Sequence, residues 1–366
     1  DDLYAITTHG QNMPEASLSR IPADTPQDVS LYVAKVAMYR SGAASGTWNN
    51  DVLLVADDEL GHTNYETTHT LFCEAMADSI IDKSFDRTKF YLIEYPWPAG
   101  ERPEKPEARE DFVEALCRGW LAVIFYGHGS HDQICGEKLF VKSDIARVKN
   151  GPRQPLMIFA SCDVGRFDRI SVDCMGEEFV NSPGAGAILT VAATRGTGFT
   201  ANVHLFTTMG SILLDSVSVP VGQALWATKM ICSEYQGLRY ILFGDGTIEL
   251  ARPERGTEAV VAGDTLFRGR SNRLTAAFPD ERNARVRVAE SGAWRQYTCL
   301  NGTTVIDYLK YGATAFEGRF PAPDGMLDVN FFMPLQSDTG MYGRASALRL
   351  ESGGSGSDWL EWIPVV

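Results

Sequence analysis

The first 250 residues alternate short apolar runs with longer amphipathic segments, and this alternation restricts the fold. The runs include "DVLLVA", "LAVIFY", "PLMIFA" and "AILTVAA". Each is short enough for a strand, whereas segments such as "REDFVEALCRGW" repeat apolar residues at helical spacing. Strands that are apolar on both faces belong to parallel sheets covered by helices. We therefore predict an α/β fold whose parallel sheet has helices on both faces.

The pattern changes after Pro253. Segments such as "RLTAAF", "ARVRVAE", "WRQYTCL" and "MLDVNFFM" are short and alternate apolar with polar residues, with turn signals between them. Such segments are typical of an all-β sandwich. A chain of 366 residues also exceeds the usual size of one core. We predict two domains, an α/β domain over 1–253 and a β-sandwich over 254–366.

The composition argues against several function classes. The net charge is −14, and we find no basic stripe, so nucleic acid is not an expected partner. No apolar run approaches the length that spans a bilayer, and the chain does not open with a signal peptide. None of the "GxG" patterns follows a strand with the dinucleotide fingerprint, which argues against nucleotide binding.

Two reactive side chains follow predicted strands. His128 stands between two glycines after "LAVIFY", and Cys162 follows "PLMIFAS". Ligands of open α/β sheets bind at the carboxyl ends of the strands, so both side chains share one crevice if the strands are neighbours. An imidazole there would favour the thiolate of Cys162. The alternative is that both residues are ordinary core or surface residues.

The glycines around His128 favour close approach of the backbone and leave N–H groups available for an oxyanion. The main-chain N–H groups of Gly129 and Cys162 are the candidate oxyanion donors.

These motifs resemble the gingipain family of caspase-like-clan cysteine peptidases. The resemblance is carried by "YGHGS" and "ASCDVGRFD", and by "LLVADDE", "PGAGAILTVAATR" and "ILFGDG" in the family's order. "ASCDVGRFD", "GEE" and "AATR" look closest to the PorU-type sortases of the type IX secretion system. The resemblance implies a caspase-like core followed by an immunoglobulin-like β-sandwich, of which "AFEGRF", "DVNFFMP" and "GRASAL" resemble parts.

The resemblance also implies roles for individual residues. Cys162 would be the nucleophile, and His128 the base that later protonates the leaving amine. The family has an acid after the first sheet strand that orients the histidine; here that acid is Asp58, with Asp57 as the alternative. Such a carboxylate would hold the imidazole in the useful tautomer. A solvated loop or a structural calcium site is the other interpretation of "DDE", and no cofactor is expected for the reaction.

The segment "ATRGTGFTAN" is the predicted wall of the substrate pocket, with Thr194, Arg195 and Gly196 as its candidate residues. Arg195 could read a polar group of the substrate, or it could be a structural ion-pair partner. Arg166 and Asp168 are interpreted as a local salt link. Cys135 is either an apolar filler or a thiol that could mask Cys162.

The function implied is that of a sortase. Cys162 would cleave near the C-terminal secretion domain of a cargo protein, and water or an amine-bearing glycolipid would resolve the thioester. The implied partners are protein substrates carrying that domain, an outer-membrane partner protein and lipopolysaccharide, at a bacterial outer membrane surface or outside the cell. A gingipain-like secreted endopeptidase is the alternative, and an inactive scaffold or binding protein is a further one.

Overall fold

A computed structural model gives the fold of the chain. It describes residues 1–41, 47–59, 68–97, 104–170, 172–214, 218–232, 235–252, 254–255, 260–261, 264–278, 282–350 and 356–366.

The first part of the chain is built on a six-stranded sheet. The strands of this sheet are β1 (Asp51–Ala56), β2 (Asp86–Tyr91), β3 (Ala122–Tyr126), β6 (Leu156–Ala160), β7 (Leu189–Ala193) and β8 (Tyr240–Phe243). A small separate hairpin, β4 (Gln133–Ile134) and β5 (Phe140–Val141), follows β3. The order is β2-β1-β3-β6-β7-β8. All neighbours are parallel except β7 and β8.

The antiparallel last strand corrects the prediction of a wholly parallel sheet. Two consecutive helices connect β7 to β8, and the second returns the chain to the end of the sheet at which β7 finishes. The main-chain N–H of Thr194 there donates to the carbonyl of Arg239, at 2.8 Å. The chain must therefore re-enter the sheet in the opposite direction.

Helices cover both faces of the sheet, as predicted. They are α1 (Pro26–Arg40), α2 (Thr68–Ala75), α3 (Pro106–Arg118), α4 (Met175–Asn181), α5 (Phe199–Leu213) and α6 (Val221–Cys232). The apolar sides of α2, α5 and α6 share one core with the sheet, and α3 and α4 share the other. None of the described helices combines the length and apolar character needed to cross a bilayer.

The turn into β3 shows how local sequence sets the position of the site. Helix α3 starts with Pro106 in its first turn, where the missing N–H is tolerated. It ends before Gly119, whose φ of +81° is open to glycine at little cost. A Cβ at Gly119 would lie 2.3 Å from the Cβ of Arg153. The chain therefore turns directly from α3 into the strand that leads to His128.

The second part of the chain consists of β-sheets whose strands pair antiparallel, except that β9 pairs with β18 in parallel. Its strands are β9 (Glu254–Arg255), β10 (Val260–Val261), β11 (Arg270–Ala277), β12 (Arg282–Ala289), β13 (Ala293–Thr298), β14 (Val305–Lys310), β15 (Thr314–Ala322), β16 (Met326–Met333), β17 (Gly340–Leu350) and β18 (Gly356–Val365). A three-stranded sheet, β10-β11-β16, and a five-stranded sheet, β15-β12-β17-β18-β9, share one apolar core. The hairpin β13–β14 stands apart from both.

The predicted fold class, an α/β core followed by a β-rich part, is confirmed. The domain boundary between 1–253 and 254–366 stays a prediction. The α/β sheet ends at Phe243, and the first strand of the β-rich part starts at Glu254.

Buried ion pairs join the two parts. Arg287 on β12 lies 3.2 Å from Asp51 and 3.4 Å from Asp86, the first residues of β1 and β2. On the other side of the junction, the carboxylate of Glu74 on α2 accepts the main-chain N–H of Leu309 on β14, at 3.0 Å. The β-rich part is therefore anchored to the amino ends of two sheet strands and to one helix.

Candidate active site

His128 and Cys162 follow neighbouring strands at the same edge of the sheet. Strands β3 and β6 pair in parallel, with Tyr126 opposite Ala160. Each functional residue lies two positions beyond its strand. The prediction of a shared crevice requires the two strands to be neighbours, and the sheet order meets this requirement.

Gly129 brings the two loops into contact. A Cβ built on this glycine would lie 2.7 Å from Ser161 Oγ and 2.9 Å from the carbonyl oxygen of Cys162. No side chain fits in that space, so the glycine after His128 permits the histidine loop to pack directly on the cysteine loop.

The thiol of Cys162 sits in a bend of the chain after β7. The main-chain N–H of Thr197 donates to Sγ at 3.2 Å, and the thiol lies 3.6 Å from the carbonyl oxygen of the same residue. Cys162 is half-buried. Thr197 therefore fixes the position of the sulfur through both its N–H and its carbonyl group.

A buried hydrogen-bond network supports this bend. Asn202 Nδ2 donates to Thr197 Oγ1 at 3.0 Å, and the Tyr240 hydroxyl donates to Asn202 Oδ1 at 2.8 Å. The same hydroxyl lies 3.3 Å from Thr197 Oγ1 and 3.5 Å from the carbonyl oxygen of Ser161. Tyr240 therefore connects the bend that contains Thr197 with Ser161, the residue before the thiol.

Sequence reasoning missed these supporting residues. Thr197 and Asn202 lie in the segment predicted as the pocket wall, and the polar side chain of Thr197 between two glycines is the available signal. Tyr240 begins β8, and its position becomes evident only when β8 enters the sheet beside β7.

Replacing Tyr240 with Phe tests the network. The change leaves Asn202 Oδ1, which is buried, without its donor, at a cost of about 1–3 kcal/mol. We expect the alkylation rate of Cys162 to fall several-fold, measured by mass spectrometry of the labelled peptide. Tyr308→Phe, in a tyrosine distant from the thiol, is the control; equal rates in both variants would contradict the role of the network.

The candidate oxyanion donors face no competing acceptor. The bridge that joins Gly129 to Ile134 uses the N–H groups of Cys135 and Ser130, so it leaves that of Gly129 unused. Among the described residues, none accepts a hydrogen bond from the main-chain N–H of Gly129 or Cys162. The oxyanion roles of these two N–H groups stay predictions.

Asp57 holds the histidine loop through the backbone. Its Oδ2 accepts the main-chain N–H of His128 at 2.8 Å, and its Oδ1 accepts that of Asp58 at 3.0 Å. The thiol of Cys135 also lies beside this carboxyl group. Burial, and then the charges of Glu137 and Asp58, raise the pKa of Asp57 well above its usual range.

Asp58 lies near His128 through a second histidine, His69. Its carboxylate forms a buried ion pair with Lys105, and its main chain lies beside the ring of His69. The ring of His69 packs edge-on against that of His128, with centroids 5.5 Å apart. Burial, and then His128, lower the pKa of His69 to about 3, so this ring stays neutral. The orienting role of Asp58 stays a prediction, with Asp57 as the alternative.

Glu59, the third acid of the triplet, binds the β-rich part. Its two carboxylate oxygens accept the main-chain N–H of Leu300 at 3.0 and 3.1 Å. Leu300 lies in the turn of the hairpin β13–β14. Three consecutive acids thus bind three different elements near the site.

Two acids of the triplet belong to a cluster of carboxylates that could hold a metal ion. Carboxylate oxygens of Asp57, Asp58 and Glu137 lie within 4.8 Å of one another, and all three residues are buried. The ammonium group of Lys105 already supplies a positive charge beside Asp58. A calcium site stays a prediction.

The predicted pocket residues line the bend that holds the thiol. Thr194 is bound to the carbonyl of Arg239, and Arg239 donates to the carbonyl of Gly196. Arg195 forms a bidentate ion pair with Asp168, at 3.0 and 2.5 Å, on the surface. Contact of Thr194, Arg195 and Gly196 with substrate stays a prediction.

The salt link predicted between Arg166 and Asp168 is corrected. Because β6 and β7 are neighbours, the loops that follow them lie side by side, and Asp168 pairs with Arg195 on the adjacent loop.

None of the seven cysteines, all of which lie in the described ranges, forms a disulfide. Cys135 is buried, and its thiol is directed at Asp57. The structure therefore places Cys135 as a partner of the acid and in no disulfide with Cys162.

The chain was compared with known proteins. The sequence profile of peptidase family C25 matches residues 1–251. No curated protein matches the chain. Among solved structures, the Arg-specific cysteine proteinase gingipain R has 13% identity, covering 100% of this chain and 79% of its own, with a TM-score of 0.54. The complex of the pro- and mature domains of RgpB from Porphyromonas gingivalis has 12% identity, covering 100% and 80%, with a TM-score of 0.53.

At these identities the structural likeness shows the fold alone. Latent PorU from Porphyromonas gingivalis is similar over 50% of this chain and 20% of its own, with 14% identity and a TM-score of 0.28, a value that carries no argument. The family is decided by the profile, which spans more than half of the chain and includes both His128 and Cys162. The chain belongs to peptidase family C25, the gingipain family of cysteine peptidases.

Proposed function

We propose that Cys162 and His128 form the catalytic dyad of this cysteine peptidase. The observation that carries the proposal is the packing of Gly129 against Ser161 and the carbonyl of Cys162, which places the two loops in contact at one edge of the sheet. The N–H of Thr197 donates to Sγ and fixes the position of the nucleophile. We expect no cofactor to take part.

In the proposed reaction His128 takes the thiol proton, and Sγ of Cys162 bonds to the substrate carbonyl carbon. The resulting oxyanion accepts hydrogen bonds from the main-chain N–H groups of Gly129 and Cys162. The C–N bond then breaks, the proton on His128 passes to the leaving amine, and a thioester remains. An amine or water then attacks the thioester and gives a proton to His128. The C–S bond breaks, and His128 returns that proton to the sulfur of Cys162.

We propose further that the chain acts as a sortase at the bacterial surface. Its substrates would be proteins carrying the C-terminal secretion domain of the type IX system, and the acceptor would be an amine of a surface glycolipid such as lipopolysaccharide. An outer-membrane partner protein would hold it at the surface. The support is the resemblance of "ASCDVGRFD", "GEE" and "AATR" to the PorU-type sortases.

The test uses a fusion protein that ends in such a secretion domain. The fusion is incubated with the chain, with and without glycinamide as a soluble amine, and the new carboxyl terminus is analysed by mass spectrometry. The proposal predicts cleavage and a glycinamide adduct, both absent with Cys162→Ala. Cleavage without an adduct would leave a hydrolytic endopeptidase, and no cleavage by the wild-type chain would overturn the sortase proposal.

A further inference from the structure

The junction between the α/β part and the β-rich part contains a cavity of about 670 Å³. Its walls include Asp51 and Asp86, the first residues of β1 and β2, and segments of β12, β14, β15 and β17. Cys162 lies at the opposite end of the sheet. Since β1 spans six residues, the two sites are separated by roughly 20 Å. The size and the position between two structural units are typical of small-molecule sites.

The lining is basic in a chain that is acidic overall. It contains eight Arg and Lys side chains against three Asp and Glu, the cations being Arg87, Lys89, Arg118, Arg153, Arg287, Lys310, Arg319 and Arg344. Three of these cations also pair with carboxylates outside the lining. Positive charge is still in excess when those acids are included, so the cavity favours anions.

Several of these cations are fixed in place. The Arg344 guanidinium donates to the main-chain carbonyl of Arg87 at 3.2 Å. Arg344 and Lys89 both lie over the ring of Tyr311, at 4.6 and 4.1 Å from its centroid. Arg153 donates to the carbonyls of Asn150 and Cys117, which directs it along the wall. A ligand would therefore meet cations that lose little freedom on binding.

The cavity also has flat apolar surfaces. Trp48, Trp120, Tyr91 and Tyr308 are lining residues, and all four are buried. Guanidinium groups bind phosphate and carboxylate oxygens through two parallel hydrogen bonds, and aromatic faces accept the organic part of such a molecule.

We propose that this cavity binds a small, multiply charged anion, an organic phosphate or a polycarboxylate, that bridges the α/β part and the β-rich part. The ligand contacts residues of both parts, so its binding stabilises the junction. The site is separate from the catalytic dyad, and the proposal does not depend on the function of that dyad.

The experiment measures thermal unfolding of the whole chain with inorganic pyrophosphate and, in a second arm, with citrate. Sodium chloride at matched ionic strength is the reference. We expect one or both anions to raise Tm by several degrees beyond the salt reference. Isothermal calorimetry then gives the Kd. The arm that responds identifies the phosphate or the carboxylate class.

Arg153→Gln/Arg319→Gln is the test variant, because neither arginine has an ion pair with a described carboxylate and the fold should survive. We expect the Kd to weaken by at least about tenfold. Arg273→Gln, on β11 of the three-stranded sheet and paired with Asp328 outside the cavity, is the matched control and should bind normally. No shift with either anion would mean a water-filled cleft only, and equal binding by the test variant would mean that the anion binds elsewhere; either result would overturn the proposal.

Discussion

Replacing Cys162 with Ala should abolish peptidase activity, with a fall in kcat/KM of at least about 10³-fold. The covalent step needs the thiol of Cys162, and removal of a nucleophile leaves only binding and oxyanion stabilisation. The side chain is half-buried and its loss creates little cavity, so Tm should change little. The measurement is steady-state cleavage of the secretion-domain fusion, with Tm as the check on folding.

Cys117 offers a matched control for the reactivity of the thiol. It is also half-buried, its Sγ accepts a main-chain N–H at 3.2 Å from Lys149, and it lies 3.6 Å from the carbonyl oxygen of Arg147. These distances equal those around Cys162, but no histidine loop packs on Cys117. With limiting iodoacetamide, Cys162 should react at least tenfold faster, and His128→Ala should remove that advantage. Equal rates in the wild-type chain would refute an activated dyad.

Replacing Asp57 with Asn should lower kcat by about 10²-fold with little change in KM. Both oxygens of Asp57 accept main-chain N–H groups, whereas Asn keeps one acceptor and turns an NH₂ group against the second donor. The lost bond costs about 1–3 kcal/mol in this buried position, and the released loop misplaces His128. The measurement is kcat and KM on the same fusion, with Tm recorded in parallel.

Asp58→Asn separates the two acids. It removes the counter-charge of the buried Lys105, so its main effect should be a lower Tm. Assays are run at a temperature at which both variants are folded. Full activity of Asp57→Asn would contradict the anchoring role of Asp57. A loss in Asp58→Asn as large as that expected for Asp57→Asn would identify Asp58 as the orienting acid.

The sequence predicts the core of the site because the relevant signals are local. Apolar runs define β3 and β6, and the residues directly after them define His128 and Cys162. The sheet order then brings the two together. The supporting contacts are long-range: Tyr240, His69 and Lys105 reach the site from a distant strand and helices, and no local pattern marks them.

The predictions differ from the structure where a contact joins residues that are distant in sequence. Closeness in sequence pairs Arg166 with Asp168, whereas the neighbouring loops of the sheet bring Arg195 to Asp168. The direction of β8 depends on how two helices pack after β7, and a pattern of apolar runs carries no information on direction.

The bond from Glu59 to Leu300 has a consequence for any attempt to divide this protein. Glu59 is two residues from the carboxylate that holds the histidine loop, so the turn of hairpin β13–β14 helps to fix the backbone of the acidic triplet. A fragment that stops before the β-rich part would lose that donor and leave a buried carboxylate facing solvent. Grafting the peptidase core onto another protein would therefore require carrying the hairpin with it, as one transferable unit.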